Sequence, residues 1–495
     1  MPAVAAHATE PGPTAHRTRW LILAVICLAQ LTVLLDNTVL GVAIPSLTRE
    51  LGAGTADIQW MINAYSLVQA GLLLAAGNAA DRYGRKLMLL AGLAVFGLGS
   101  IAAAFAHSPG QLIAARAGMG VGGALLTTTT LAVVVQVFDD AERPRAIGIW
   151  ATVNSIGAAA GPLIGGALLA RFWWGAIFLV NVPVALLGLA AAVAFVPESK
   201  TQDGTRPDLL GALLSTIGMS ALVYAIISGP DHGWLSGRVL LPALLGLAGL
   251  TAFVAWEHHV PHPMLDMSFF RDRRFTGAVT GGILVAFGLG GSMFLLTQHL
   301  QFVFGYGPMA AGLRTAPLAL TVLLVNLTPL GARTSARLGT PLTIASGMTV
   351  LGLGLAAVAL LGSHHYAGML TGLVLMGIGI AVAMPTMHNA IMSAIPPAKA
   401  GVGAGVNGTL GECGYGLGVA VLGAVLGSRF AALLPEGLTS HGSLPDTLSA
   451  ASSATRGRVT AAFASGVQSG QLVGAAALLL GGWLTAGLLR RAARG

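Results

Sequence analysis

The sequence predicts an all-α polytopic membrane protein: two six-helix bundles plus two extra central helices, fourteen transmembrane helices in all. Three observations carry that expectation. Only 9% of the 495 residues are charged while 55% are apolar, and the mean hydropathy is +0.79; a soluble chain carries about 25% charged residues. The apolar residues gather into runs of ~20, the length that crosses hydrocarbon. Two segments lying 255 residues apart also read alike.

Taken in order, residues 1–15 are polar, with Pro2, Pro11 and Pro13, and are expected to be disordered. No small-residue cleavage site follows the first apolar run, so that run is a retained helix rather than a signal peptide. Pro, Gly and charged residues then cut the chain into spans near 20–44, 58–78, 87–106, 111–137, 145–170 and 175–196, an N-terminal bundle over 16–196. Residues 197–274 form a linker with two additional spans near 208–228 and 238–256 and a cytoplasmic loop. Spans near 276–303, 309–331, 342–361, 367–393, 403–429 and 462–489 make a C-terminal bundle over 275–489, followed by a basic tail at 490–495. Its outer loop near 430–460 contains Pro435 and Pro445 and is expected to be mobile.

An even number of spans places both termini on one face. Arg17, Arg19, Arg82, Arg85, Lys86, Arg143, Arg145 and about ten further basic residues of the 26 fall on that face, which the positive-inside rule makes cytoplasmic. The location is therefore the cytoplasmic membrane. A net charge of +8 without a basic stripe interleaved with aromatics excludes a nucleic-acid partner. Cys27 and Cys413 lie in apolar runs and read as small buried side chains, not a disulfide.

The repeat sets Arg82-Tyr-Gly84-Arg-Lys-Leu87 against Arg337-Leu-Gly339-Thr-Pro-Leu342, and identities continue through Gly92/Gly347, Val95/Val350, Gly97/Gly352 and Gly99/Gly354. Both segments lead from an inner loop into a helix, so the repeat preserves orientation, as between the parallel halves of secondary transporters. Spans 1–6 map onto 9–14. Two bundles rocking about a midplane cavity, and hence transport, follow as the default expectation.

The loop Gly77-Asn-Ala-Ala-Asp81-Arg82-Tyr-Gly84-Arg85-Lys86 resembles the signature loop of the major facilitator superfamily, with Ala79 where that family usually has Leu. Leu35-Asp36-Asn-Thr38-Val-Leu-Gly-Val-Ala43-Ile-Pro45, Arg116-Ala-Gly118-Met-Gly120 and Gly157-Ala-Ala-Ala-Gly161-Pro162-Leu-Ile-Gly165-Gly166 follow in order. Together they resemble the fourteen-helix drug:proton antiporters, as does Pro263-Met-Leu-Asp266-Met-Ser-Phe-Phe270 before the ninth span. Gln59-Trp60-Met-Ile-Asn63-Ala-Tyr65 and Glu412-Cys-Gly-Tyr415 look most like exporters of quaternary ammonium compounds and cationic dyes. Several of those carry an acidic residue where this chain has Asn63. The resemblance implies a major facilitator fold and a proton-coupled antiporter, working by alternating access as a monomer. Its expected partners are protons, small hydrophobic or cationic molecules and the lipid bilayer.

The individual residues support specific expectations. A lone charge at mid-membrane costs ~2.5–3.5 kcal/mol on insertion scales and is functional by default. Asp36 in helix 1 and Glu412 in helix 13 are the carboxylates placed deep in spans, and Arg116 in helix 4 is the cation that would compete for Asp36 if it lies close. Burial favours the neutral acid and a guanidinium favours the carboxylate, so the three are the proton-coupling candidates. Each also has a purely structural alternative as a hydrogen-bonded anchor between helices. Trp60, Asn63, Tyr65, Gln69, Asn154 and Tyr415 are candidates for a substrate cavity. Gly77, Asp81, Arg82, Gly84, Arg85 and Lys86 read as a conformational latch or a plain topology anchor. Gly157, Gly161, Pro162, Gly165 and Gly166 give helix 5 a small-residue ridge, for close packing or for gating. Arg314 is expected to snorkel at the outer interface.

Several patterns are set aside. Gly118-Met-Gly120-Val-Gly-Gly123 fits a dinucleotide fingerprint but lies inside a span with no preceding strand. No phosphate-binding loop, HExxH helix or GxSxG elbow is present. His258, His259 and His262 lack a spaced ligand set for a metal. No cofactor, metal or catalytic role is expected. The rival readings are a dedicated exporter of one endogenous antibiotic or metabolite, and a membrane sensor or scaffold without transport.

Overall fold

The computed structural model describes residues 13–139, 142–198, 207–261, 263–328, 330–362, 365–393, 400–438 and 443–492. The N-terminal helices are α1 (Pro13–Leu51), α2 (Thr55–Tyr83), α3 (Arg85–Ala104), α4 (Pro109–Val137), α5 (Arg143–Leu169), and the consecutive α6 (Ala176–Leu179) and α7 (Asn181–Phe195). Two further helices follow, α8 (Leu209–His232) and α9 (Gly237–His259). The C-terminal set is α10 (Arg273–Gln298), α11 (Pro308–Asn326), α12 (Leu330–Leu361), α13 (Tyr366–Ser393), α14 (Ala400–Ala432), a short α15 (Leu444–Ala450) and α16 (Arg456–Ala492). Thirteen spans among the described residues are long and apolar enough to cross a membrane. The fourteenth is α5, 27 residues long, with Ala160–Leu169 as its described apolar segment.

Local chemistry explains where the helices begin. Asp57 accepts from the Gly54 amide (2.9 Å) to open α2, and the Ser108 hydroxyl accepts from the Gln111 amide (3.3 Å) ahead of Pro109 to open α4. Asp208 and Asp272 cap α8 and α10 by accepting the amides of Gly211 (2.9 Å) and Arg274 (2.7 Å). Such caps satisfy the donors that the first helical turn leaves free. Gly84 and Gly339, matched by the 255-residue offset, both hold positive φ (120° and 73°) at the joints before the following spans. That backbone region suits glycine, so the repeat holds at the level of main-chain conformation.

The helices segregate into two bundles. In the first, α1 packs on α5 and α7, α2 on α4, and α3 on α4 and α7; in the second, α10 packs on α14 and α16, and α12 on α13 and α16. The bundles meet along two seams, α2 with α14 and α5 with α11. Chain direction puts both described ends on one face, termed the terminal face; the other is the distal face.

Two sequence expectations change, and the two extra helices, found where the sequence puts them, gain a position in space. The α8–α9 hairpin is central in the chain but peripheral in space: α8 leans on α2 and α14, and α9 exposes most of its surface. Instead of running free, the distal loop carries α15, which buries Leu444 and Thr447. Helix α1 begins at Pro13, so 13–15 are helical, while 1–12 lie outside the described residues. The glycine-rich run of α4 serves packing: a Cβ on Gly120 would fall 2.7 Å from the Tyr65 carbonyl, and one on Gly122 2.7 Å from the Phe96 amide nitrogen.

The ridge on α5 divides its work. Gly157, Gly161 and Gly165 face Leu31, Thr38 and Val39 of α1, and a Cβ on Gly161 would lie 1.7 Å from Thr38 Oγ1. Gly161→Val should therefore force α1 and α5 apart, an overpacking cost of ~1–3 kcal/mol, and lower the melting temperature of the purified protein by several degrees. Gly161→Ala combined with Thr38→Ala should melt close to the parent; equal melting of Gly161→Val and parent would contradict this packing.

Candidate functional site

The N-terminal bundle holds an ion pair within its apolar core. Arg116 of α4 donates from Nη1 to Asp36 Oδ2 of α1, and both side chains are 1% exposed. Its Nε donates to the Met61 carbonyl (3.0 Å), and its guanidinium stacks 4.4 Å from the centre of the Tyr65 ring. Asn181, at the start of α7, donates to Asp36 Oδ1 and to Ser100 Oγ, each at 3.4 Å. Helices α1, α4 and α7 thus converge on one carboxylate, and α2 on the arginine that holds it. The contact left open by the sequence exists, but the pair is sealed in the bundle core. Asn181 and the Met61 carbonyl are not legible in the sequence, since a lone Asn at a loop edge and a backbone oxygen carry no pattern.

Glu412 lies elsewhere. It is half-buried on α14 and faces Ser66 of α2, across the seam between the bundles. Neighbouring levels of that seam are polar too. Gln59 Nε2 donates to the carbonyls of Val419 (2.9 Å) and Ala420 (3.2 Å), and Thr409 Oγ1 donates to the Ala70 carbonyl (3.1 Å). Asn63 Oδ1, without a hydrogen-bond partner, is directed at Gly416, where a Cβ would fall 2.5 Å away. Positions 59, 63, 66 and 70 meet 419, 416, 412 and 409, so two antiparallel helices stay in register over three turns. The second seam closes at the distal face: a Cβ on Gly312 would fall 2.3 Å from the Pro162 carbonyl, and one on Gly166 2.7 Å from the Met309 Cα. Pro162 and Gly166 thus face the other bundle, as the gating reading requires.

Several cavity candidates are placed differently from expectation. Tyr65 is fully buried beneath Arg116 and edge-on to Phe96 (6.4 Å), and Gln69 is buried and donates to Thr127 Oγ1 (3.2 Å). Trp60 packs on Tyr224 of α8, ring centres 6.1 Å apart, on the side of the peripheral hairpin. Asn63 is buried in the seam, and Tyr415 is partly buried against the N-terminal core cluster. The Asn154 side chain lies outside the described residues.

The latch residues come together within the N-terminal bundle. Arg85 pairs with Asp81 (2.9 Å) and donates to the Ala132 carbonyl of α4 (3.4 Å), while Lys86 Nζ donates to the Val193 carbonyl of α7 (2.8 Å). Gly84 packs against Glu198, Arg82 lies 5.8 Å over the Tyr83 ring, and Gly77 has open space at its Cβ position. This loop ties α2, α3, α4 and α7 to one another.

Other polar sites escaped the sequence. Asp208 and Glu257 are both buried, at the terminal-face ends of α8 and α9, so Asp36 is not alone among the buried carboxylates. Trp256 Nε1 donates to Asp208 (2.9 Å) and the Leu265 amide to Glu257 (2.9 Å). Arg314 stacks on aromatic rings, 3.8 Å from the Tyr306 ring centre and 5.4 Å from that of Tyr366. His388 and Asn407 join α13 to α14 (2.7 Å). His262 lies outside the described residues; among those described, no cluster could hold a metal ion.

Comparison with known proteins gives specific matches to this geometry. Residues 26–419 match the family model described as Major Facilitator Superfamily. The multidrug resistance protein Stp of Mycobacterium tuberculosis is 36% identical over 420 residues, covering 85% of this chain and 78% of that one. The methyl viologen resistance protein SmvA of Salmonella typhimurium is 36% identical over 427 residues, covering 85% of each. Among solved structures, a bacterial homologue of the human lysosomal transporter Spinster superposes with a TM-score of 0.67 at 16% identity, over 98% of this chain and 99% of that one. Two repeated bundles, the signature loop and these matches agree: the chain belongs to the major facilitator superfamily.

Proposed function

We infer that this chain exports hydrophobic, cationic compounds across the cytoplasmic membrane in exchange for protons, with both termini in the cytoplasm. The observation that carries the reading is Glu412. It is a half-buried carboxyl on one bundle that faces Ser66 of the other. A proton gained or lost there changes a contact that both bundles share, which is what alternating access needs from its driving ion. Relatives named for resistance to several drugs and to methyl viologen favour drug export over a sensor that moves nothing. Each returning proton supplies ~2.3 kcal/mol per 100 mV and ~1.4 kcal/mol per pH unit.

Asp36 takes a second, conditional role. While Arg116 holds it, the carboxylate is neutralised by the guanidinium. Proton binding at Asp36 requires Arg116 to withdraw towards the Met61 carbonyl and the Tyr65 ring, which it already touches. With the distal ends of α5 and α11 in contact, the paired Asp36 is the proton-free form, ready for substrate from the terminal face.

In everted vesicles, Glu412→Gln should slow proton-driven ethidium transport at least about tenfold and remove substrate-induced proton release from the purified protein. Transport at the parent rate would show that coupling lies elsewhere. Asp36→Asn should lose transport and also destabilise the protein by ~3–5 kcal/mol, because it leaves a buried guanidinium unpaired. Adding Arg116→Gln should restore the melting temperature without restoring transport; a double variant that pumps would reduce the pair to an anchor.

A further inference from the structure

The two halves treat the same position in opposite ways. In the N-terminal half, Arg85 pairs with Asp81 (2.9 Å) and reaches the Ala132 carbonyl (3.4 Å), filling the space between the loop and α4. The 255-residue offset maps Asp81 and Arg85 onto Ala336 and Thr340; α13 runs two residues further on, since Gly379 packs on Leu351 as Gly122 packs on Phe96, so Ala132 maps onto Asn389. Here the ion pair is replaced by a methyl and a hydroxyl. A cavity of about 850 Å³ opens in its place, lined by Ala336 and Thr340 on one side and by Pro385, Thr386 and Asn389 of α13 on the other.

Charge follows the same logic. Arg19 at the terminal end of α1 pairs with Asp139 (3.2 Å) and Glu142 (3.6 Å). At the terminal end of α10 in the other half stands Arg274, the one charged side chain among the described residues that line the cavity. With the two-residue shift of α13, the positions equivalent to Asp139 and Glu142 are Pro396 and Lys399, neither of them acidic. The C-terminal half therefore has a cation here and none of the three carboxylates. What it offers is a space with one guanidinium, the hydroxyls of Ser335 and Thr340, and the amides of Asn326 and Asn389, at the terminal face.

We propose that this cavity binds a phosphate group, held by Arg274 and the surrounding hydroxyl and amide donors. The bound anion does in this half what Asp81 and Asp139 do in the other: it ties the loop before α12 to α13 and to the start of α10. A guanidinium beside neutral donors suits phosphate oxygens, which accept several bonds at once. Phospholipid headgroups and soluble phosphates share that chemistry. The site is separate from Glu412 and from the proton-coupling reading, and stands or falls without it.

The test uses the purified full-length protein in neutral detergent, with phosphatidylglycerol retained per molecule counted by native mass spectrometry and melting followed in sodium phosphate against sodium chloride at equal ionic strength. Arg274→Gln removes the cation. The pair Ala336→Asp with Thr340→Arg rebuilds the N-terminal ion pair inside the cavity, and Ser335→Leu fills it without adding charge. The parent should bind one phosphatidylglycerol about tenfold more tightly than any of the three. If inorganic phosphate does not displace it, the source is the lipid. If inorganic phosphate displaces it, or by itself raises the parent's melting temperature but not that of Arg274→Gln, the source is soluble. Equal lipid retention in parent and all variants, with no phosphate-specific stabilisation, overturns the proposal.

Discussion

A guanidinium enclosed by a helical bundle has to find all its partners within the protein, and Arg116 shows how much structure that demand organises. The carboxylate comes from α1, the carbonyl and the aromatic face from α2, and the carboxylate's second partner from α7. Removing any one leaves charge or dipole unanswered where water cannot help, a cost of several kcal/mol. The arrangement therefore fixes how four helices of the first bundle sit together. It also provides acceptors for the arginine beyond the carboxylate itself, which a simple ion pair would not.

Among the described residues the second bundle has no equivalent pair, and its link to the first is made of weaker contacts. Amide, hydroxyl and carboxyl side chains along α2 and α14 meet one another or opposing backbone at successive turns. Each contact is worth about 0.5–1.5 kcal/mol net. A surface so composed holds two bodies together and yet lets them separate stepwise, turn after turn. By contrast, the α5–α11 contact is backbone against backbone through glycines, so it has shape but little polarity. One seam is lined with polar side chains, the other with close-packed backbone.

Much of this is legible in the chain itself. Charged residues are so rare in these apolar runs that Asp36, Arg116 and Glu412 stand out, and the repeated Arg-x-Gly loops reveal two equivalent halves. What the chain does not disclose is adjacency. Hydropathy measures how long a segment is, not which neighbour it touches, so the α8–α9 hairpin, central in sequence, gives no sign that it lies at the edge in space. Tyr65 and Gln69 look like cavity residues because aromatic and amide side chains suit a binding site; packing under Arg116 and against Thr127 suits them equally. Ser66 escapes altogether, since one serine among many has no signature until Glu412 is seen opposite. Asp208 and Glu257 are easily passed over because they fall at the ends of their helices, where carboxylates are ordinarily solvated.

The matched levels of α2 and α14 restrict how this protein can vary. A residue inserted between Gln59 and Ala70 would turn everything beyond it by about 100° and carry the later side chains off the shared face. The same insertion in α14 between Thr409 and Val419 would do likewise, and no substitution nearby could repair either. Among related chains, then, side chains along these two stretches are free to change in kind, whereas the spacing from Gln59 to Ala70 and from Thr409 to Val419 must stay the same. Loop lengths elsewhere carry no such restriction, so a gap falling in either stretch when sequences are aligned is a sign that the alignment, or the kinship, is mistaken.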